Sequence, residues 1–264
     1  MNIMQIMSLL LAAVVLGAAM FTATDNPRAF LDYHGLLVVI GGTVAAAAVS
    51  FQLNRIVSLL KVFWNRTILG QKHNYRETIR SMLKIADAYE KESPSLRDII
   101  KAQKDPFITE CFDVLLDGVG DADFAYSLMR RRNDNIFELY MHDANKFKAL
   151  GKYPPAMGLL GAVTGMIALL GSLGKPGAEK TIGPAMSIAL VATLYGIAFA
   201  NFFVIPIAEN LIDAAKETKR KNLIIISGMR LIARGTNSLV LAEELNSFLL
   251  PADRLDWKKE IKAA

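Results

Sequence analysis

Four long stretches of this 264-residue sequence lack aspartate, glutamate, lysine and arginine altogether. They are residues 1–24, 33–54, 153–174 and 181–208. Together they hold 96 residues, so all 55 charged side chains fall in the other 168. This segregation excludes a uniformly mixed soluble chain and divides the protein into apolar and charged parts.

Each charge-free stretch is long enough to cross a membrane. A bilayer core about 30 Å thick requires about 20 apolar residues in a helix, and buried helices of soluble proteins rarely carry apolar runs beyond about 14 residues. The first stretch lacks the basic segment of a secretory signal, so we expect a retained helix there. The sequence therefore predicts four transmembrane helices.

The basic residues predict the orientation of these helices. Of the 30 lysines and arginines, 27 lie in residues 55–152 or after residue 208. Basic residues near span ends stay on the cytoplasmic side, so we expect both termini and the long middle loop in the cytoplasm. There is no basic stripe suited to nucleic acid, and attraction to anionic membrane lipid explains the excess.

Enzyme and redox signatures are also missing. The only cysteine, Cys111, cannot form an intrachain disulfide, and we interpret it as a small buried hydrophobic residue. No phosphate-binding loop or metal-ligand spacing is complete. We therefore expect no enzyme, no metal and no cofactor.

Apolar residues at helical spacing, without alternating strand patterns, predict an all-α fold. We expect helices over 75–92 and 122–150, and we expect Val57, Leu60 and Trp64 to continue the second span outward. The apolar run 223–226 is too short to span a bilayer and should pack on the loop helices. The predicted domains are spans one and two (1–54), a cytoplasmic helical domain (55–152), spans three and four (153–208) and a cytoplasmic helical tail (209–264).

The membrane stretches have no carboxylate, although intramembrane ionisable groups usually mark ion relays. Their polar atoms are hydroxyls and amides, which either bond to protein or serve a pathway. Gly161 and Gly165 form a small-xxx-small pair that permits close helix packing. Pro184 is expected to start or end a helix. Any ion-binding charge in the membrane must come from a partner.

Specific residues resemble the MotA/PomA subunits of the flagellar motor stator. The resemblance rests on residues 30–43 with Ser50-Phe51, Asp105-Pro106-Phe107, Asp117-Gly118, 155–161, 189–196 with Ala200-Asn201, Pro206-Ile207-Ala208, and the tail 228–251. These matches are collinear over nearly the whole chain, which makes them more specific than any single motif.

The resemblance implies a ring of five copies in the bacterial inner membrane around two copies of a MotB/PomB-like single-span partner. The partner supplies the ion-binding aspartate, and the ring pushes on the rotor protein FliG. Pro155 and Pro206 correspond to the family's functional prolines, and Thr193 to a threonine that lines the ion route. Arg97 and Glu110 are the best placed candidates for rotor contact, although their spacing differs from the family pattern and a solvated helix face is the alternative.

Two features of the sequence give opposite indications of the coupling ion. Sodium-type relatives tend to have threonine where Ala162 stands, so the missing hydroxyl favours protons. The stretch 192–196, Ala-Thr-Leu-Tyr-Gly, is similar to the sodium type instead. We expect protons.

Four other functions remain open. One is an ExbB/TolQ-like energy-coupling scaffold, which has three spans, and a related option is a non-flagellar ion-driven motor. An autonomous transporter should show an inverted repeat, and none is apparent. A structural membrane scaffold without ion flux would also suit the tight glycine and alanine packing.

Overall fold

The computed structural model describes residues 3–68, 74–103, 105–177 and 179–256. Within these ranges the protein is helical and contains no β-strand, which confirms the all-α prediction. The α-helices there are α1 (Ile3–Ala23), α2 (Tyr33–Leu36), α3 (Gly42–Ser50), α4 (Leu53–Ile68), α5 (Tyr75–Glu90), α6 (Leu96–Lys101), α7 (Pro106–Leu116), α8 (Ala122–Leu150), α9 (Tyr153–Ser172), α10 (Glu179–Phe199), α11 (Ile205–Ala233) and α12 (Ser238–Asn246).

The chain forms two compact units, each discontinuous in sequence. We call Met1–Gln71 with Met141–Asp213 the membrane unit, and Lys72–Tyr140 with Ala214–Ala264 the charged unit. Helices α8 and α11 contribute residues to both. The predicted boundaries at residues 54, 152 and 208 concern the edges of the membrane and stay a prediction.

Among the described residues, three continuous helical stretches are long and apolar enough to span a bilayer: Pro27–Ser50, Ala122–Ser172 and Ile182–Ala233. Each contains or overlaps one of the charge-free sequence stretches. The first predicted span forms α1, a helix of 21 residues that extends about 30 Å at 1.5 Å per residue. Within α1, the segment Ala13–Ala23 is apolar but shorter than a full span. The protein is therefore an integral membrane protein.

Two π-helical segments of five residues interrupt the spans, Leu37–Gly41 between α2 and α3 and Ala200–Val204 between α10 and α11. A π turn accommodates an extra residue and widens the helix, and such turns are frequent at functional positions. Pro184 also differs from its prediction, because it lies inside α10 rather than at its beginning or end.

The second span ends earlier than predicted. We expected residues 57–64 to continue it, but Phe51 has an extended backbone (φ −141°, ψ 153°) and α4 begins separately at Leu53. The Ser50 and Tyr153 hydroxyls lie 2.8 Å apart and are hydrogen-bonded. Phe51 packs against a cluster that includes Phe147. An extended residue cannot continue an α-helix, so the span ends here, and both residues at the break contact other helices of the membrane unit.

The charged unit has its own hydrophobic core. Its fully buried members include Ile79 and Met82 of α5 and Phe112 of α7. The run Ile224, Ile225 and Ile226 of α11 joins this core, which confirms that it packs on the loop helices. Cys111 lies in the same core as a free thiol, in agreement with its interpretation as a small hydrophobic residue.

Candidate functional site

Helices α9 and α10 form the most closely packed pair in the membrane unit. A Cβ atom on Gly161 would lie 2.9 Å from the Cβ of Ala192, and one on Gly165 would lie 3.1 Å from the Cβ of Ala189. Real Cβ atoms essentially never approach as closely as at Gly161, and the contact at Gly165 is tighter than most real Cβ contacts, so a larger residue at either position requires the helices to shift. The predicted close approach at Gly161 and Gly165 is confirmed.

We call the contact surface between α9 and α10 the seam. Gly158 lies where this seam reaches Thr193. A Cβ atom on Gly158 would lie 2.8 Å from the carbonyl oxygen of Ala192 and 3.1 Å from the Cα of Thr193. The neighbouring atoms are backbone, which cannot move aside as a flexible side chain can. Gly158 therefore holds the two helix backbones at contact distance beside the predicted ion-route residue.

The Thr193 hydroxyl bridges the two helices. It donates to the carbonyl oxygen of Ala189 on its own helix at 3.4 Å and to that of Gly158 on α9 at 3.5 Å. Both distances exceed the 2.5–3.0 Å that is typical for hydroxyl donors. Carbonyl groups cannot use the two lone pairs of the hydroxyl oxygen. The Thr193 hydroxyl oxygen can therefore accept a hydrogen bond from water or coordinate a cation while the side chain remains in the seam.

Ala162 lies on α9, four residues and about one turn after Gly158, and it is partly buried. Its methyl group offers no oxygen ligand. The roles of Thr193 and Ala162 in an ion pathway stay predictions.

Pro155 lies in the first turn of α9, which begins at Tyr153. A proline there interrupts no helix hydrogen bond, since the first four N–H groups have no partner inside the helix. Its distinctive feature is a contact: a Cβ atom on Gly196 would lie 3.1 Å from the Cα of Pro155 and would overlap the carbonyl oxygen of Pro154. The rigid proline turn is thus pressed against α10.

Pro206 is the second residue of α11 and follows directly after the π turn Ala200–Val204. The N–H of Ile205 donates to the carbonyl oxygen of Ala200, five residues earlier, as the π geometry requires. Proline has no N–H and leaves one carbonyl of the preceding turn without a helix partner. The π turn and Pro206 together make a local weak point in an otherwise continuous helix.

Several other membrane hydroxyls bond to their own helices. Thr43 donates to the carbonyl oxygen of Val39, Thr164 to that of Gly161 and Ser172 to that of Leu169. These residues follow the structural alternative stated for them, and they differ from Thr193, which also reaches a neighbouring helix.

Sequence reasoning missed a link between Tyr195 and the beginning of the second span. The Tyr195 hydroxyl donates to the carbonyl oxygen of Phe30 and accepts from the N–H of Asp32 at 3.2 Å. The Asp32 carboxylate accepts from the N–H groups of His34 and Gly35 and caps α2. No local signal could have revealed a contact across 163 residues of sequence.

In the charged unit, the predicted rotor-contact residues each have an ionic partner. Arg97 of α6 pairs with Asp117 at 3.1 Å, and Arg132 of α8 pairs with Glu110 of α7 at 2.6 Å. Glu110, Asp117 and Arg132 line the same surface cleft, whose volume is about 500 Å³. Glu110 therefore lines this cleft directly, whereas Arg97 is connected to it through its ion pair with Asp117.

The ion pair between Arg132 and Glu110 lies at the surface, with both side chains 43% exposed. Side chains 22 residues apart on different helices meet here, so the pairing depends on how α7 and α8 pack. Asp113, which also lines the cleft, adds a third carboxylate to it.

Two groups of the charged unit have shifted pKa values. Hydrogen bonds from Arg234 and Arg230 hold the pKa of the exposed Asp123 carboxyl below its usual value, so Asp123 stays ionised and links α8 to α11 at the surface. Burial raises the pKa of the Cys111 thiol well above its usual value. A buried neutral thiol is a poor nucleophile.

Comparison with known proteins agrees with the resemblance. The MotA/TolQ/ExbB proton channel family profile matches residues 99–222. The chain is 27% identical to the chemotaxis protein PomA of Vibrio alginolyticus over 220 residues, 83% of this chain and 85% of PomA. It is 26% identical to motility protein A of Borreliella burgdorferi over 264 residues, 98% of this chain and 99% of that protein.

Solved structures share the fold. The flagellar MotAB stator complex from Bacillus subtilis matches with a TM-score of 0.83 and 24% identity over 96% of this chain and 98% of that one. The C. jejuni MotAB structure matches with a TM-score of 0.86 and 22% identity over 97% and 99%. The chain is thus similar in sequence to PomA and motility protein A over most of its length, part of it matches the MotA/TolQ/ExbB proton channel family profile, and its fold is that of the solved MotAB subunits.

Proposed function

We propose that this protein is the ring-forming, MotA/PomA-type subunit of a bacterial flagellar stator, which couples ion flow to torque on the rotor. The similarity to PomA and motility protein A extends over most of each chain, so it includes both the spans and the charged unit. The apolar N-terminal helix α1, which corresponds to the first predicted span, favours a stator subunit over an ExbB/TolQ-like scaffold with three spans. A non-flagellar ion-driven motor built on the same subunit is the remaining alternative.

One observation carries the coupling mechanism. The charge-free parts of α9 and α10 place an interhelical hydroxyl, Thr193, in a seam without any carboxylate. A proton or metal cation crossing the membrane needs a negative or strongly coordinating site. A MotB/PomB-like partner helix with an intramembrane aspartate would supply that site, and Thr193 would line its route.

Assembly and orientation follow from the same proposal. The outward faces of α9 and α10 expose apolar residues such as Leu159, Ile167 and Leu190. These faces need lipid, partner helices or further copies of the chain to cover them. A ring of five copies around two partner helices would cover them, with both termini and the charged unit in the cytoplasm, where the basic residues accumulate.

The charged unit would deliver force to FliG. Glu110 lines an exposed cleft and Arg97 pairs with Asp117 of the same cleft, so each candidate is neutralised by a neighbouring charge. Exposed ion pairs exchange partners at small cost, since such pairs contribute only about 0.2–1 kcal/mol. A rotor protein that presents complementary charges could therefore engage them one after another.

The ion is a proton in this proposal. Ala162 provides no oxygen beside the Thr193 region, whereas a sodium ion needs several oxygen ligands. A proton needs only a carboxylate and a path of water or hydroxyl groups.

The test is motility of a bacterium that lacks its own stator genes. This chain is expressed with its neighbouring single-span partner gene, and swimming speed is recorded in sodium and in potassium medium. We expect swimming in both media, and we expect none when the partner's intramembrane Asp is replaced by Asn. Swimming without the partner gene would refute the stator assignment, and swimming only in sodium would refute the proton assignment.

A further inference from the structure

Helix α4 has two apolar faces, and the part of the chain that the structure describes covers only one of them. Ile56, Leu59 and Phe63 are partly buried against the core of the membrane unit. Val57, Leu60 and Trp64 are exposed by 64%, 40% and 61%, respectively. Their spacing of three and four residues places them in one stripe along the helix.

The position of α4 brings this stripe to the membrane surface. The helix begins at Leu53, three residues after the second span ends at Ser50. The extended backbone at Phe51 separates it from the span. A helix that leaves a span at such a break and packs on the membrane unit remains next to the bilayer.

The charge of this segment is of one sign. No acidic residue occurs between Asp32 and Glu77, a stretch that includes all of α4. Helix α4 itself contains Arg55, Lys61 and Arg66 in its sequence. Lys61 lies four residues after Val57 and three before Trp64, so its ammonium group borders the exposed stripe. Basic amphipathic helices with tryptophan on the apolar side are typical of membrane interfaces.

We propose that α4 is an interfacial helix that binds anionic phospholipid at the membrane face where the second span ends. Val57, Leu60 and Trp64 insert at the boundary between headgroups and acyl chains. Lys61 extends along this stripe and places its charge among lipid phosphates, as long basic side chains do at interfaces. Tryptophan favours this layer because its ring is apolar while its N–H can donate a hydrogen bond.

Trp64 can report on this contact directly. The chain has two tryptophans, and Trp257→Phe leaves Trp64 as the single fluorophore of the full-length protein. The protein is reconstituted in phosphatidylcholine vesicles with or without phosphatidylglycerol. Part of the phosphatidylcholine carries bromine atoms, either near the headgroup or near the acyl-chain terminus, and these atoms quench the Trp64 fluorescence at that depth. We expect severalfold stronger quenching from the headgroup-proximal bromine, and we expect phosphatidylglycerol to increase it.

A charge reversal separates lipid binding from simple exposure. Lys61→Glu should remove the increase that phosphatidylglycerol causes, whereas Lys84→Glu, an exposed lysine in the charged unit, should leave it unchanged. Absence of quenching in both lipids would mean that protein, such as a second copy of this chain, covers the stripe, and would overturn the proposal. Quenching that does not depend on anionic lipid would also overturn it. The comparison of lipids needs no α4 variant, so it stands even if Lys61→Glu fails to insert.

Discussion

Gly158 of α9 and Thr193 of α10 are in direct contact. The Thr193 hydroxyl donates to the Gly158 carbonyl oxygen at 3.5 Å, and a Cβ atom on Gly158 would lie 3.1 Å from the Thr193 Cα. The same backbone approach thus fixes the distance between two spans and the position of the candidate ion-route hydroxyl. Steric and polar requirements coincide at one point of the seam.

Gly158→Ala should therefore damage assembly and motility together. The added methyl forces α9 and α10 apart, and overpacking of this kind costs about 1–3 kcal/mol. We expect a lower melting temperature of the purified protein in detergent and loss of swimming. Gly171→Ala is the matched control on the same helix, because a Cβ there meets nothing within 4 Å. A melting temperature for Gly158→Ala equal to that of the control would contradict the seam geometry.

Thr193→Val should stop ion-driven motility without preventing assembly. Valine keeps the shape of threonine but removes the only hydroxyl oxygen at this position, whereas Thr193→Ser keeps that oxygen and should retain swimming. Thr164→Val provides the control, because the Thr164 hydroxyl bonds within its own helix at 2.9 Å. Co-purification with the partner subunit checks assembly, and swimming speed checks function. Normal speed in Thr193→Val would exclude the hydroxyl from the pathway.

Pro206→Ala should slow or abolish swimming while the protein still inserts. Alanine restores a backbone N–H after the π turn and allows the helix to tighten, which removes the proposed weak point. Pro155→Ala should also reduce swimming, because the rigid turn that contacts Gly196 becomes adjustable. Pro184→Ala is the control, since Pro184 is exposed in α10 and away from the π turn. Equal swimming speeds in all three variants would remove both prolines from the coupling mechanism.

Glu110→Arg combined with Arg132→Glu distinguishes a rotor contact from a structural ion pair. The exchange can rebuild the 2.6 Å pair but reverses the charges at the cleft. If Glu110 meets the rotor, torque measured on tethered cells should fall severalfold in the double variant although folding is unchanged. The exchange of Asp87 and Lys91, an exposed pair on α5 at 2.8 Å, should leave torque intact. Full torque after the Glu110 and Arg132 exchange would make their pair structural only.

Glu92→Gly should stabilise the charged unit. Glu92 has φ 47° and follows α5, where the N–H of Glu92 donates to the Tyr89 carbonyl oxygen and that of Ser93 to Ala88. This helix ending favours glycine, because a left-handed conformation costs other residues roughly 1–2 kcal/mol. The same hydrogen-bond pattern after α11 uses Gly235, with φ 67°.

The measurement is the thermal midpoint of the full-length protein in detergent, followed by circular dichroism. A gain of about 1 kcal/mol corresponds to a shift of roughly 2–4 °C in a chain of this size. Glu90→Gly, inside the last turn of α5, is the control and should lower the midpoint, since glycine in a helix costs about 0.5–1 kcal/mol. A midpoint below that of the unmodified protein in Glu92→Gly would show that the turn does not limit stability.

Much of the fold could be predicted because its main determinant is local. A span is recognised by about 20 consecutive residues without charge, and α8 begins and ends where its apolar spacing predicted. The helix boundaries in the C-terminal part are local too, since Gly235 after α11 has a left-handed conformation and Asn237 caps α12 through the N–H of Leu239. Such signals act over a few residues and need no knowledge of the partner surface.

The site was only partly predictable. The sequence and its resemblance singled out Thr193, Pro155 and Pro206, but the contact of Thr193 with Gly158 and the π turn before Pro206 depend on packing. The Arg132 pair with Glu110 was missed, because a run of three arginines has no local feature that selects one for a distant carboxylate.

Sequence alone determined that this is an α-helical membrane protein with a separate charged part, because partition between lipid and water depends on the sum of residue transfer energies along each segment. Tertiary structure decided where the second span ends, which hydroxyl bridges two helices and which charges meet at the cleft. These features arise from contacts between residues far apart in the chain. Their energies depend on the distance between surfaces, and that distance is defined only once the helices have packed.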